Sequence, residues 1–231
     1  MPAGFGYGGQ GYAYVSELFD EVDEEVRREQ LKKLWEKYSI YIVGAALLVI
    51  AGVGGWRGYQ YLEAKKAAQA GEAFNKAIEL SEQSKHQQAE AAFADLAARA
   101  PAGYRVLARF RAAAEAASRD PSAGAKMFDD IASDRTVGPE LEALARLRAA
   151  GLLVDSASYA EMKQRLEPDT TPGATFRHSA RELLALSAWR SNDATATRQW
   201  LDMIALDAAT PPGLRQRAEA LQALLPPVAK S

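Results

Sequence analysis

The sequence predicts an all-α protein: a single transmembrane helix followed by a solenoid of stacked helical hairpins. Three observations carry this expectation. An uncharged run of 18 residues, Ser39 to Trp56, lies near the N-terminus. From residue 64 onward apolar residues recur at helical spacing, broken only by Pro, Gly, Asp and Ser, and no strand-like alternation competes. Two helix patterns also return every 35–37 residues, which marks a repeat architecture.

Composition removes several function classes. Hydrophobic residues make up 48% of the chain and charged residues 25%, so a folded protein is the default. The net charge of −2 gives no basic field for nucleic acid. Cysteine is absent, which excludes disulfides, thiolate catalysis and Cys-ligated metals and leaves the compartment open. His86 and His178 are the two histidines, too few for a metal centre or a proton relay. No cofactor is expected.

Residues 1–15 hold five glycines and four aromatics and read as a flexible tail. Gly4, Gly6 and Gly9 match a dinucleotide fingerprint, but no strand precedes them, so the match is empty. Residues 16–37 form a juxtamembrane helix. Ser16 is placed to cap it, acids from Glu17 to Glu25 suit its N-terminal half, and Leu18, Val22, Val26 and Leu31 give a thin apolar stripe. The acidic run lacks the spacing of a calcium loop and reads as a solvated helix start.

Residues 38–56 form the span. Nineteen residues at roughly 1.5 Å each reach about 28 Å, close to a hydrocarbon core. Trp35, Tyr38 and Tyr41 flank one end and Trp56, Tyr59 and Tyr61 the other, as an interfacial belt requires. The alternative is a buried core helix. An uncleaved anchor fits better than a cleaved signal peptide, given the long acidic leader and the distance to Ala68-Gln69-Ala70. Arg27, Arg28, Lys32, Lys33 and Lys37 precede the span, against Arg57, Lys65 and Lys66 after it. That bias places the N-terminus in the cytoplasm and residues 57–226 in the periplasm. Within the span Gly44, Leu48, Ala51 and Gly55 share one small face, widened by Ala45 and Gly52, where a membrane partner is expected to pack.

Residues 57–226 form the repeat domain, with helices expected over 64–84, 86–99, 103–118, 121–133, 139–154, 157–167, 174–191, 193–206 and 212–225. Residues 227–231 are a tail. One repeated helix reads Leu107-Ala-Arg-Phe-Arg-Ala-Ala-Ala114 and then Leu144-Ala-Arg-Leu-Arg-Ala-Ala-Gly151; the stretch Ala180–Trp189 keeps the apolar phase. The alternate helices carry a small residue, an aromatic and an aliphatic: Ala89, Phe93 and Leu96; Gly124, Phe128 and Ile131; Ala196, Trp200 and Met203. A further copy, around Tyr159, Met162 and Leu166, is shifted in phase. The small residue lets paired helices approach, and the aromatic fills the gap between hairpins. The period matches tetratricopeptide units with slightly lengthened loops, the alternative being an irregular helical bundle.

The acidic-then-basic N-terminus, the span exit Gly55-Trp56-Arg57 and the Ala-rich helix leading into hairpins resemble the YfgM-like ancillary subunits of the bacterial Sec translocon. The stretch from Ser16 to Arg28 is similar to alphaproteobacterial members. The resemblance covers about residues 16–135 and is of repeat type alone beyond. It implies a single-pass inner-membrane protein associated with the SecYEG channel and a membrane-anchored periplasmic chaperone of the peptidyl-prolyl isomerase type.

No nucleophile elbow, phosphate loop or His-rich metal pattern occurs. A non-catalytic protein-interaction scaffold is therefore expected, with another cell-envelope assembly as the alternative and a membrane-anchored enzyme disfavoured. His86 reads as a solvated turn residue and His178 as structural. Arg109, Arg111, Arg146 and Arg148 recur at matching repeat positions and read either as lining for an acidic partner or as a solvated face.

Overall fold

The computed structural model describes residues 11–227, with side chains described at Arg28 and from Lys32 onward. The chain divides into two compact units, Met1–Glu63 and Ala64–Ser231. Helix α1 (Gly11–Glu82) runs unbroken through the acidic stretch, the uncharged run and the Ala-rich segment. It begins within the tail expected over residues 1–15, and Ser16, expected as its cap, lies inside it. Extending an existing helix by a turn costs far less than nucleating one, so the glycine-rich approach does not stop it. The remainder of that tail, residues 1–10, lies outside the described residues, as do residues 228–231 of the C-terminal tail.

The uncharged run is bare. Its best 18-residue window has a mean hydropathy of 1.9 and none of it is buried. Ile40 and Leu48 are 75% and 76% exposed. The chain thus has a helix long and apolar enough to cross a membrane, and the core-helix alternative does not hold.

The second unit is a series of hairpins. The end of α1, from Ala64, pairs with α2 (His86–Arg99). Helix α3 (Ala102–Ala117) pairs with α4 (Pro121–Ala132), α5 (Pro139–Leu153) with α6 (Tyr159–Leu166), and α7 (Arg177–Arg190) with α8 (Ala194–Leu206). Helix α9 (Pro212–Ala223) follows. No strand occurs among the described residues. The punctuation works as its chemistry dictates. Asp120 accepts from the Ser122 amide at 2.9 Å with Pro121 at the first helical position, and Asp193 accepts from the Ala196 amide at 2.9 Å. Ser84 and Asn192, both at φ 58°, take the left-handed conformation that ends α1 and α7. The next residue then bonds back, Lys85 N to Leu80 O and Asp193 N to Ala188 O. Helix α6 is shorter than expected. Pro168 enters a 3₁₀ turn (Glu167–Thr170), which delays α7 to Arg177.

The core is three successive apolar clusters. Alanines form its seams: Ala108, Ala112 and Ala113 in α3, Ala145, Ala149 and Ala150 in α5, and Ala180, Ala185 and Ala188 in α7 are all buried. Aromatic rings join the helices of a hairpin. Phe74 and Phe93 meet edge-on at 5.1 Å, and Phe110 and Phe128 meet tilted at 5.7 Å. In the phase-shifted copy Met162 and Leu166 are fully buried, and Trp200 Nε1 donates to Tyr159 Oη at 2.8 Å. Ala89, Phe93, Leu96, Gly124, Phe128, Ile131, Ala196 and Trp200 are also buried. Met203 is not: it is 38% exposed, and Ile204 takes the buried place. After Trp200 the core face of α8 steps by four residues where the other copies step by three.

Gly124 marks the tightest approach. A Cβ built there would lie 2.4 Å from Ala117 Cβ and 2.6 Å from Ala117 Cα, so backbone would have to move. At Gly151 a Cβ meets nothing within 4 Å. Gly124→Ala is expected to lose about 1–3 kcal/mol by overpacking, whereas Gly151→Ala gains about 0.5–1 kcal/mol from helix propensity. Thermal unfolding of the full chain in detergent reads both; equal gains would refute the close approach.

Candidate protein-interaction groove

Four helices of the second unit place their equivalent faces around one open groove of about 1130 Å³. Phe74 comes from α1, Leu107 and Phe110 from α3, Leu144 and Leu147 from α5, and Leu183 from α7. Leu107 is 56% exposed although it belongs to the apolar lining. These positions were legible as the outward side of the repeated Leu-Ala-Arg-Phe/Leu-Arg helix. Arg111 and Arg148 are among the positions that read as lining for an acidic partner, whereas nothing in the repeat period marks the apolar ones as a groove.

The structure divides the recurring arginines into two sets. The first set closes the hairpins. Arg109 Nη1 donates to Asp134 Oδ2 at 2.5 Å, just past the end of α4. Arg146 forks onto Asp169 at 2.9 and 3.0 Å, past the end of α6. Arg181, the equivalent in α7, is 4% exposed. It donates to Thr170 O at 3.1 and 2.8 Å, to Met203 O at 3.2 Å and to Asp207 Oδ2 at 3.0 Å. A helix of each hairpin is thus tied to the chain leaving its partner, with the planar fork that guanidinium supplies. Arg109 and Arg146 therefore do not line this groove. The second set is Arg111 and Arg148, one step further along α3 and α5. Both are exposed and line the groove, and neither has an ion-pair partner among the described residues. The groove's carboxylate, Glu182, is engaged by Arg217 at 2.6 and 2.9 Å.

The histidines are structural. His86 is not the solvated turn residue expected: its Nδ1 lies 2.7 Å from Oε2 of buried Glu115, whose Oε1 accepts from Ser81 Oγ at 2.6 Å. This contact ties α1, α2 and α3 across 29 residues of sequence, a pairing no local pattern announces. His178 Nδ1 lies 3.1 Å from Thr210 Oγ1 and 3.8 Å from Asp207. Among the described residues no three His, Asp or Glu side chains gather as a metal site would.

Repeated hairpins with small residues at the close approaches, aromatics between them and an open face built from equivalent helices define the architecture. The tetratricopeptide repeat-like domain matches residues 32–202. The chain belongs to that family. The matched stretch of this tetratricopeptide repeat-like protein takes in the uncharged run as well as the hairpins, and ends within α8. No curated protein and no solved structure matches the chain. Arrays of this kind are typically protein-interaction modules without catalytic chemistry, because stacked hairpins present a continuous face to a partner chain.

Burial, aided by Arg177 and Arg181 against the opposing pull of Asp207, holds the His178 imidazole below its ordinary value. A depressed histidine favours the neutral form in the folded state. Its contribution is complete above the unfolded value near 6.5 and is lost as pH falls through the folded value. The Asp134 carboxyl, held near about 2 by Thr136 and Arg109, titrates far below that window. Asp207 is likewise held well below the carboxylate range, chiefly by Arg177. The full chain is expected to lose stability between pH 7.5 and 5.5, and His178→Gln to flatten that slope. Denaturant midpoints across the range measure it; an unchanged slope in the variant would contradict the assignment.

Proposed function

We propose that this chain is a membrane-tethered, non-catalytic scaffold of the bacterial inner membrane, an ancillary subunit that links the Sec translocon to periplasmic chaperones. The observation that carries the reading is the unbroken helix α1, which leads from the uncharged run directly into the first hairpin. A span that continues into the array tethers the array to a membrane. The five-to-three basic bias around the span supports a cytoplasmic N-terminus and a periplasmic hairpin domain. The translocon and chaperone partners rest on the resemblance of residues 16–135 to YfgM-like subunits. The second reading, a subunit of another cell-envelope complex, draws on the same anchor and groove.

Two measurements separate these statements. Protease added to intact spheroplasts is expected to digest the chain beyond about residue 60 and spare the N-terminal segment. Protection of the hairpin domain would reverse the orientation. Mild detergent extraction followed by affinity capture is expected to retain the SecYEG channel and a membrane-anchored prolyl isomerase. Retention of a different envelope complex would favour the second reading.

We further assign the span's small face, Gly44, Leu48, Ala51 and Gly55, to contact with a membrane partner. A Cβ at Gly44, Gly52 or Gly55 meets nothing within 4 Å, so enlarging this face leaves the chain's own packing intact. Ala51→Leu with Gly55→Leu is expected to reduce crosslinks to membrane partners in native membranes, while Val49→Ile leaves them unchanged. If an unrelated span of equal length keeps the crosslinks, the segment is an anchor and nothing more.

A further inference from the structure

The groove has a chemistry narrower than a general protein-binding face. Its floor is apolar, with Leu107, Phe110 and Leu147 exposed or half-buried along it. Its open form and volume of about 1130 Å³ leave room for a polypeptide segment. Two guanidinium groups, Arg111 and Arg148, border that floor without ion-pair partners among the described residues. Their repeat neighbours, Arg109 and Arg146, are both consumed by aspartates. Glu182, the acid within the groove, is already held by Arg217. Yet basic and acidic residues are equal in number from Ala64 to Pro227, so the hairpin domain as a whole carries no excess of positive charge. The uncommitted charge is local to the groove.

We propose that the groove binds a partner polypeptide segment whose apolar side chains alternate with acidic ones, with Arg111 and Arg148 taking the carboxylates. The apolar floor supplies area, and each guanidinium offers a planar fork of donors matched to a carboxylate. Such charge-assisted pairs are stronger than hydrogen bonds between neutral groups. Two cations at equivalent positions on successive repeats also fix the register of the bound segment, since each selects an acid along it. Basic or uncharged apolar segments gain only the floor. This inference rests on the groove being a peptide-binding face, as the scaffold reading requires, and adds the partner's charge.

The test uses the full chain in zwitterionic lipid nanodiscs and three fluorescein-labelled synthetic peptides with both termini blocked. One is built of leucine and glutamate; in the others glutamine or lysine replaces glutamate. Anisotropy is expected to show the leucine–glutamate peptide binding at least about tenfold more tightly than the leucine–glutamine peptide, with the advantage falling at high salt. Arg111→Gln with Arg148→Gln removes that advantage and keeps leucine–glutamine binding. Arg111→Glu with Arg148→Glu transfers the preference to the leucine–lysine peptide. Arg109→Gln serves as the control: it lowers the melting temperature by opening the Asp134 contact yet preserves the acidic preference. Equal binding of all three peptides, unmoved by the arginine variants, overturns the charge assignment and leaves the scaffold reading standing. Absence of binding by every peptide overturns both.

Discussion

The structure of the hairpin domain depends on how closely neighbouring helices can approach. An isolated helical hairpin cannot bury both of its apolar faces, so each must find a neighbour. Alanine and glycine set the distance. Gly124 sits against Ala117 with no room for a methyl group, and the alanines of α3, α5 and α7 form buried seams. Larger residues appear only where a gap remains, as the ring pairs Phe74–Phe93 and Phe110–Phe128 show. Dense packing of small groups gains many weak contacts and loses little side-chain entropy, which suits a domain this rich in alanine.

Polar interactions then lock what the seams bring together. The Arg109–Asp134, Arg146–Asp169 and Arg181–Asp207 pairs occupy one repeat position. Arg181 is buried and spends its donors on two backbone carbonyls and a carboxylate, so its charge is compensated as burial demands. Glu115 does the same at the other end, accepting from Ser81 and contacting His86. The consequence for function is a division of labour along a single helix. In α3 and α5, the alanines stack, the first arginine closes the hairpin, and the second faces the groove.

Much of this was legible in the sequence, and the reasons are physical. The uncharged run and the helical hairpins follow from hydropathy and period, both local properties. Gly124, Phe93 and Phe128 were found because the repeat places them at a fixed interval. Met203 was assigned to the core on that same interval and lies exposed, because α8 steps by four residues and buries Ile204 instead. The extent of α1 was underestimated at its N-terminal end, since the glycines there argue against a helix that cooperativity extends. The fates of the arginines were out of reach. Arg109 and Arg111 look alike in sequence, and only the position of Asp134, 25 residues on, separates a clamp from a groove residue. His86 was misread for the same reason, its partner lying 29 residues away.

The central claim, that hairpins stack through their small-residue seams into one array, is tested most directly by native-state hydrogen exchange on the full chain in nanodiscs. Amides of Ala112 and Ala113 in α3, Ala149 and Ala150 in α5, and Leu184 and Ala185 in α7 should exchange most slowly, through shared opening events. Those of α9, with a single flank covered, should exchange faster. Rapid, independent exchange of α3 and α5 would mean that the hairpins are not held by their neighbours, and would contradict the account.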